Sequence, residues 1–364
     1  MKRNRLLGCI AAVIILAFTG CSAKKPASDG GAVRLTMSKN VAESVNGELY
    51  SDERGRLNFA DFESMSTSVL CSKPNCPHTD ENECSAFGMN NFPFIYGDKL
   101  YFFSTEVIFE DEEIRNDTTI FKADLDGTNR RALYTIEGYT VETGYMELVG
   151  DTVYMAVKKI GWDNETGVRS GAEEIKLASF DLSANKFESF EEVCRGEEAA
   201  AVIIHGLQNG KIYFYQNSTD DPWNADDPLN EQGSRHYDEE FRAFDISSGK
   251  VCETDLPEPY CIGGGYYVYS ENGVTKILGE DGSEKIVKDF QLTDTILSPV
   301  NGKIINCFKN TWLDLTNGEC GELKGIDEEK RACKPVYYLD GTYIFEQWNG
   351  EAYEFIKIPE KELF

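Results

Sequence analysis

Histidine and cations are what this chain has least of. Three histidines stand among 364 residues, and 36 Lys and Arg face 63 Asp and Glu. The resulting formal charge of -27 repels phosphate backbones and anionic lipid, which excludes nucleic acid as a partner. Solubility accounts for the acidity without an acidic docking face. So few histidines also leave little for general acid–base chemistry, and no Gly-x-Ser-x-Gly elbow is present. Among 63 acids some carboxylate pair meets the spacing of glycoside hydrolysis by chance, so their number is no argument for that reaction. Beyond Phe18 no run is apolar enough to span a membrane, and no long amphipathic helix is written into the rest.

The N-terminus is the exception to this polarity. Lys2, Arg3 and Arg5 precede an apolar stretch from Leu6 to Phe18, about thirteen residues, which suits a signal h-region and falls short of a spanning helix. Leu16-Ala17-Phe18-Thr19-Gly20-Cys21 follows. This string resembles a bacterial lipoprotein signal, with Phe18 where that family prefers Leu. The resemblance implies that 1–20 is a lipoprotein signal peptide and that Cys21 is the lipidated first residue of the mature chain. The protein is then extracytoplasmic and lipid-anchored to the bacterial membrane. An ordinary secretory signal, with Cys21 an unmodified thiol, is the alternative. Residues 21–32, rich in Ser, Ala, Lys, Pro and Gly, read as a flexible tether.

From Val33 a short unit recurs: a Gly-containing turn, then a strand rich in Tyr, Ile or Val. It stands at Gly47–Tyr50, Gly97–Phe103, Gly150–Tyr154, Gly210–Tyr215, Gly264–Tyr269, Gly302–Ile305 and Gly341–Phe345. A second signature, a strand ending in an acidic or Gly turn, follows several copies, most plainly Ile120-Phe121-Lys122-Ala123-Asp124-Leu125-Asp126-Gly127. Asp-Gly and Asn-Gly supply the turn geometry of tight hairpins. Such small sheets bury their faces only by stacking, and repeats of this period mark propellers and solenoids. The fold class is therefore all-β, a β-propeller over 33–364 with seven blades. Six blades with an irregular N-terminal flap is the alternative. The last unit looks one strand short, and Val33–Met37 is expected to supply that strand and close the ring. These repeats resemble those of bacterial surface lipoprotein propellers of unknown function, a likeness that implies a fold and little chemistry.

The densest cluster of chemistry lies in a loop at 71–84, Cys71-Ser72-Lys73-Pro74-Asn75-Cys76-Pro77-His78, followed by Cys84. Cys71, Cys76, His78 and Cys84 form a candidate metal site, since three thiolates and an imidazole suit a closed structural zinc. A disulfide between two of the three cysteines is the competing reading. The chain holds 11 cysteines. Setting aside Cys9 in the signal and Cys21 leaves an odd number, so not all can pair. Cys307, in an apolar strand, reads as a small buried hydrophobe.

Two insertions interrupt the repeat, one with Trp162 and one running from Asn217 to Tyr237 with Trp223. Loops on a rigid scaffold are where binding usually resides. Trp162 and Trp223 are candidate stacking residues for a glycan or peptide. Asp220, Asp221, Asp226 and Asp227 are candidate oxygen ligands, at a spacing that matches no calcium loop. With no catalytic constellation in view, the expected function is a surface-anchored, non-enzymatic propeller binding a protein or glycan partner. An envelope assembly role, or a surface hydrolase on glycans or peptides, is the alternative.

Overall fold

Alternation of apolar and polar residues between tight turns makes each segment a strand with two different faces. The computed structural model describes residues 32–364 except 38, 43–45, 80–82, 90, 111–112, 143, 163–172, 197, 220–237, 289, 291–298, 328 and 350–352. Strand β1 (Ala32–Leu35) comes first among the described residues. Blade one follows as β2 (Lys39–Ala42), β3 (Gly47–Ser51), β4 (Leu57–Asp61) and β5 (Ser66–Val69), and blade two as β6 (Phe94–Tyr96), β7 (Lys99–Glu110), β8 (Glu113–Asp124) and β9 (Arg131–Ile136). Blade three comprises β10 (Thr140–Val141), β11 (Met146–Val149), β12 (Thr152–Lys159), β13 (Glu173–Asp181) and β14 (Lys186–Gly196). Blade four is β15 (Glu198–Gln208), β16 (Lys211–Thr219), β17 (Asp238–Asp245) and β18 (Lys250–Glu253), and blade five is β19 (Cys261–Gly263), β20 (Tyr266–Glu271), β21 (Val274–Gly279) and β22 (Glu284–Val287). Among the described residues, blades six and seven have three strands each: β23 (Lys303–Asn306), β24 (Thr311–Asp314) and β25 (Cys320–Glu322), then β26 (Lys334–Leu339), β27 (Thr342–Trp348) and β28 (Tyr353–Pro359). A short helix α1 (Glu360–Leu363) ends the chain.

Each sheet is antiparallel, with strands paired in sequence order except in blade three, where β1 flanks β11 and β10 pairs with β12. The leading strands of neighbouring sheets touch one another, β2 with β6, β11 with β15, β15 with β19 and β23 with β26, so they line a central axis. The molecule is an all-β, seven-bladed β-propeller.

Seven apolar clusters fill the seven gaps between blades. The two-residue period of a strand is what serves two gaps at once. On β12, Val153, Met155 and Val157 face blade two, while Tyr154 and Ala156 face blade four. The gap between the last and first blades is closed the same way. Phe62, fully buried, lies 5.3 Å from Tyr337 and 5.5 Å from Phe355 between ring centroids, and Tyr50 packs edge-on to Tyr353 at 5.8 Å. Tyr337 Oη donates to Asn46 Oδ1 at 3.1 Å across the same seam.

The expectation that Val33–Met37 completes the last blade is overturned. β1 instead pairs antiparallel with β11, Ala32 opposite Val149 and Leu35 opposite Met146, adding a strand to the axial edge of blade three. The reason lies in its side chains. Leu35 is fully buried among blade-two and blade-three residues. Arg34 Nε bonds Glu147 Oε1 at 3.1 Å, its Nη2 reaches the carbonyl of Ile262 at 3.4 Å, and it lies 5.2 Å from the Tyr145 ring centroid. Gly206, at φ +142°, makes room for it: a Cβ there would stand 2.6 Å from Arg34 Nη2. The last blade keeps three strands, and α1 folds back so that Phe364 packs on Trp312 and Tyr343.

Candidate metal centre

The loop bearing the cysteines leaves the outer strand β5 and returns to the axial strand β6. Cys76 N–H donates to the Lys73 carbonyl at 3.3 Å, closing a turn with Pro74 second and Asn75 third, and Asn75 has φ +59°. Pro then positive φ is the signature of a type II turn, so Pro74-Asn75 sets the reversal that turns Cys76 back toward Cys71. His78 also adopts a left-handed backbone, φ +53°, which brings Nδ1 to 3.3 Å from Cys84 Sγ.

Both blades hold the loop from outside. On the blade-one side, Leu57 N–H donates to the Ala86 carbonyl at 2.9 Å, and Arg56, paired to Asp52 Oδ2 at 2.6 Å, donates from Nη1 to the His78 carbonyl at 3.3 Å. On the blade-two side, Ser72 donates to the carboxylate of Asp126, Ser85 Oγ to its carbonyl at 2.8 Å, and Arg130 to the carbonyls of Phe87, at 2.8 Å, and Ser85. Gly127, at φ +74°, permits this contact, since a Cβ there would lie 2.4 Å from the Ser85 carbonyl oxygen.

The result is a convergence of four donors. The Sγ atoms of Cys71, Cys76 and Cys84 and a ring nitrogen of His78 all lie within 4.8 Å of one another. A tetrahedral zinc with Zn–S bonds near 2.3 Å separates its donors by about 3.7 Å, a spacing that His78 Nδ1 and Cys84 Sγ, 3.3 Å apart, already meet. The cluster can coordinate a metal ion, and its donor set fits structural zinc, with all four positions taken by protein. The three thiols are free, and no disulfide joins the described cysteines. Burial opposes ionisation of Cys71, but hydrogen bonds from Ser85, Lys73 and Cys84 outweigh it and bring the thiol down to about 6. Cys84 is pushed up to about 11, by burial first and then by Cys71 and Cys76 beside it. A ligand set that is one thiolate already at neutral pH, with further thiols held against it, is suited to a cation that displaces the remaining protons.

No family model matches the chain. No curated protein sequence matches it either. The likeness is to solved structures at low identity. Oligogalacturonate lyase from Vibrio parahaemolyticus is 11% identical, with 92% of this chain and 93% of that one covered at a TM-score of 0.44. An oligogalacturonate lyase in complex with manganese is 10% identical, with 92% and 99% covered at 0.42. Penicillium chrysogenum alpha-L-arabinanase, complexed with arabinobiose, is 8% identical, with 93% and 97% covered at 0.39.

The other sequence candidates fall apart from this cluster. Trp162 is half-buried and donates Nε1–H to Asn116 Oδ1 at 3.0 Å, so part of it is committed to blade two. Cys21, Trp223, Asp220, Asp221, Asp226 and Asp227 lie outside the described residues. Cys307 is buried as expected, 2% exposed. Sequence reasoning missed the axial cluster of Arg34, Glu147 and His205, because residues so far apart in the chain carry no shared local pattern. It also missed the exposed apolar tips Phe109, Phe308 and Trp348, 73%, 74% and 43% exposed; each sits at or just past the far end of the strand that a Gly-containing repeat turn opens, β7, β23 and β27.

Proposed function

We propose that the protein is a lipid-tethered propeller, held outside the cytoplasmic membrane through Cys21, that binds a glycan or protein partner without transforming it. The observation that supports this reading is an asymmetry between the two ends of the ring. Among the described residues, the turn that opens each Tyr-, Ile- or Val-rich repeat strand lies at one end of the ring and the turn that follows that strand at the other. The first set is tight and polar, as at Gly97-Asp98, Gly150-Asp151 and Asn209-Gly210. The second set carries Phe109, Trp162, Phe308 and Trp348. Ala32 pairs with Val149, beside the Gly150 turn, so a tether arriving at Ala32 enters at the tight-turn end. The aromatic end then points away from the membrane, where aromatic anchors of an interface belong. The formal charge of -27 selects a neutral or basic partner.

Two measurements test this. Cys21→Ser should move the protein from the membrane fraction to the medium or periplasm, and unchanged retention rejects the anchor. Glycan and peptide arrays read with the full chain should give signals that fall together in a Phe308→Ala, Trp348→Ala double variant; arrays on which the variant equals the parent reject the aromatic end.

Hydrolysis of a glycan or peptide is the second reading. Lys158 Nζ lies 3.8 Å from Glu142 Oε2 and also pairs with Glu173, giving the two convergent carboxylates such chemistry uses. Glu173 is fully buried, which argues for a structural ion cluster. Turnover of a polysaccharide that disappears in Glu142→Gln would replace the binding reading.

A further inference from the structure

We infer that the edge of β7, unpaired beyond Phe103 among the described residues, is a docking site for an extended segment of a partner protein, added as a strand and carrying basic residues alternating with apolar ones. β7 and β8 are 12 residues each and pair along their whole length, from Lys99 opposite Asp124 to Glu110 opposite Glu113. Their neighbours stop early. β6 pairs only as far as Tyr101, after which Phe103 N–H bonds the Asn91 carbonyl, and β9 reaches only Thr118. Residues 105–110 and 113–117 therefore continue as a two-stranded ribbon beyond the blade, on the loop end of the ring.

Glu110 and Glu113 pair with two residues between them, and a pair that closes so short a connection is a hydrogen-bonded one. Along an antiparallel ladder the inward and outward orientations alternate, so Thr105, Val107 and Phe109 turn their N–H and C=O outward, along the side where β6 has ended. An edge of this kind is a template for strand addition. Its side chains split by face. Thr105, Val107 and Phe109 stand opposite Thr118, Asn116 and Ile114 on an uncharged face, with Val107 43% and Phe109 73% exposed. Glu106, Glu110 and Asp117 stand with Arg115 on the other. Arg115, already paired at 3.1 Å with Asp117 and 3.3 Å with Glu110, does not balance the acids of that face, which stays negative. A strand laid on this edge matches it with apolar side chains beside Val107 and Phe109 and cations beside Glu106. A second copy of this chain fits poorly, because each copy brings a charge of -27.

This rests on the binding reading above. The probe is a fluorescein-labelled octapeptide of alternating Val and Lys, titrated against the full chain in detergent, with a Val–Glu octapeptide as the control. The expected result is saturable binding of the Val–Lys peptide only, with slowed amide exchange at Thr105, Val107 and Phe109. Val107→Pro removes an outward donor without touching the ribbon's own ladder. It should weaken binding at least tenfold while leaving the melting temperature in place, and a parallel Phe109→Ser should weaken it by a smaller factor. Equal binding to Val107→Pro, or binding without protection at 105–109, overturns the edge in favour of charge adhesion alone. Peptide recovered cleaved defeats the binding reading itself, and peptide recovered intact and unbound defeats only the edge.

Discussion

His205 shows what a buried position does to a single side chain. It lies on β15, 9% exposed, with its ring edge-on to Phe241 at 5.9 Å. Burial, with Arg34 adding to it, holds the imidazole down at about 4. Glu258, 3.8 Å away and more than half exposed, is too well solvated to reverse this. The unfolded chain takes up a proton near pH 6.5, whereas the folded chain refuses it until about 4. Stability from this residue is therefore fully present above pH 6.5, falls as pH drops and levels near pH 4, a loss of at most about 3 kcal/mol. Urea midpoints at pH 7 and 4.5 should show this fall, and His205→Phe should flatten it; an undiminished fall in the variant places the dependence elsewhere. His78 carries the opposite kind of test. The purified protein should hold about one zinc per chain, and His78→Ala should lose it more readily by opening one of four positions to water. Thiol labelling of Cys71, Cys76 and Cys84 should rise on chelation. A metal-free protein whose thiols appear only with a reductant would establish the disulfide instead. The four residue types and their closeness in sequence were legible beforehand. Their convergence was not, because it depends on the left-handed backbone at Asn75 and His78 and on Asp126 and Arg130 from the next blade.

At the scale of elements, β1 is held by an ion pair more than by its length. Glu147 is 3% exposed, and burial pushes its carboxyl up while Arg34 opposes that shift. Arg34→Ala strands a buried carboxylate and should cost about 3–5 kcal/mol at neutral pH. The cost should shrink in acid, where Glu147 takes a proton and no longer needs its partner. Denaturant melts of parent and variant at pH 7 and pH 4.5 measure the difference; a pH-independent cost would mean that packing of the arginine stem, not the charge, is what is lost. A strand at Val33–Met37 was expected from the sequence, and the structure forms one at Ala32–Leu35. Its partner was not legible there, since the last blade and blade three both offer an edge, and only Leu35 and Arg34 finding their complements at blade three decides between them.

For the whole molecule the consequence is that the ring closes without a shared strand. Blades one and seven are each continuous in sequence, and the seam between them rests on Tyr50, Phe62, Tyr337, Tyr353 and Phe355. Phe62→Ala should cost about 3–5 kcal/mol, and amide exchange should then speed up first in β26–β28, on the far side of the seam. Exchange that rises evenly through all blades would show that the ring opens only by global unfolding.

Repetition of turn and strand was enough to determine an all-β ring of seven units, because a hairpin is specified locally, by positive-φ turn residues and a two-residue period. Which strand meets which across the axis, how the seam closes, and which side chains surround the thiols were decided by tertiary structure alone. Those contacts join residues tens to hundreds of positions apart, and their strength comes from removing Phe62 from water and from giving buried Glu147 its partner Arg34, which no local pattern records.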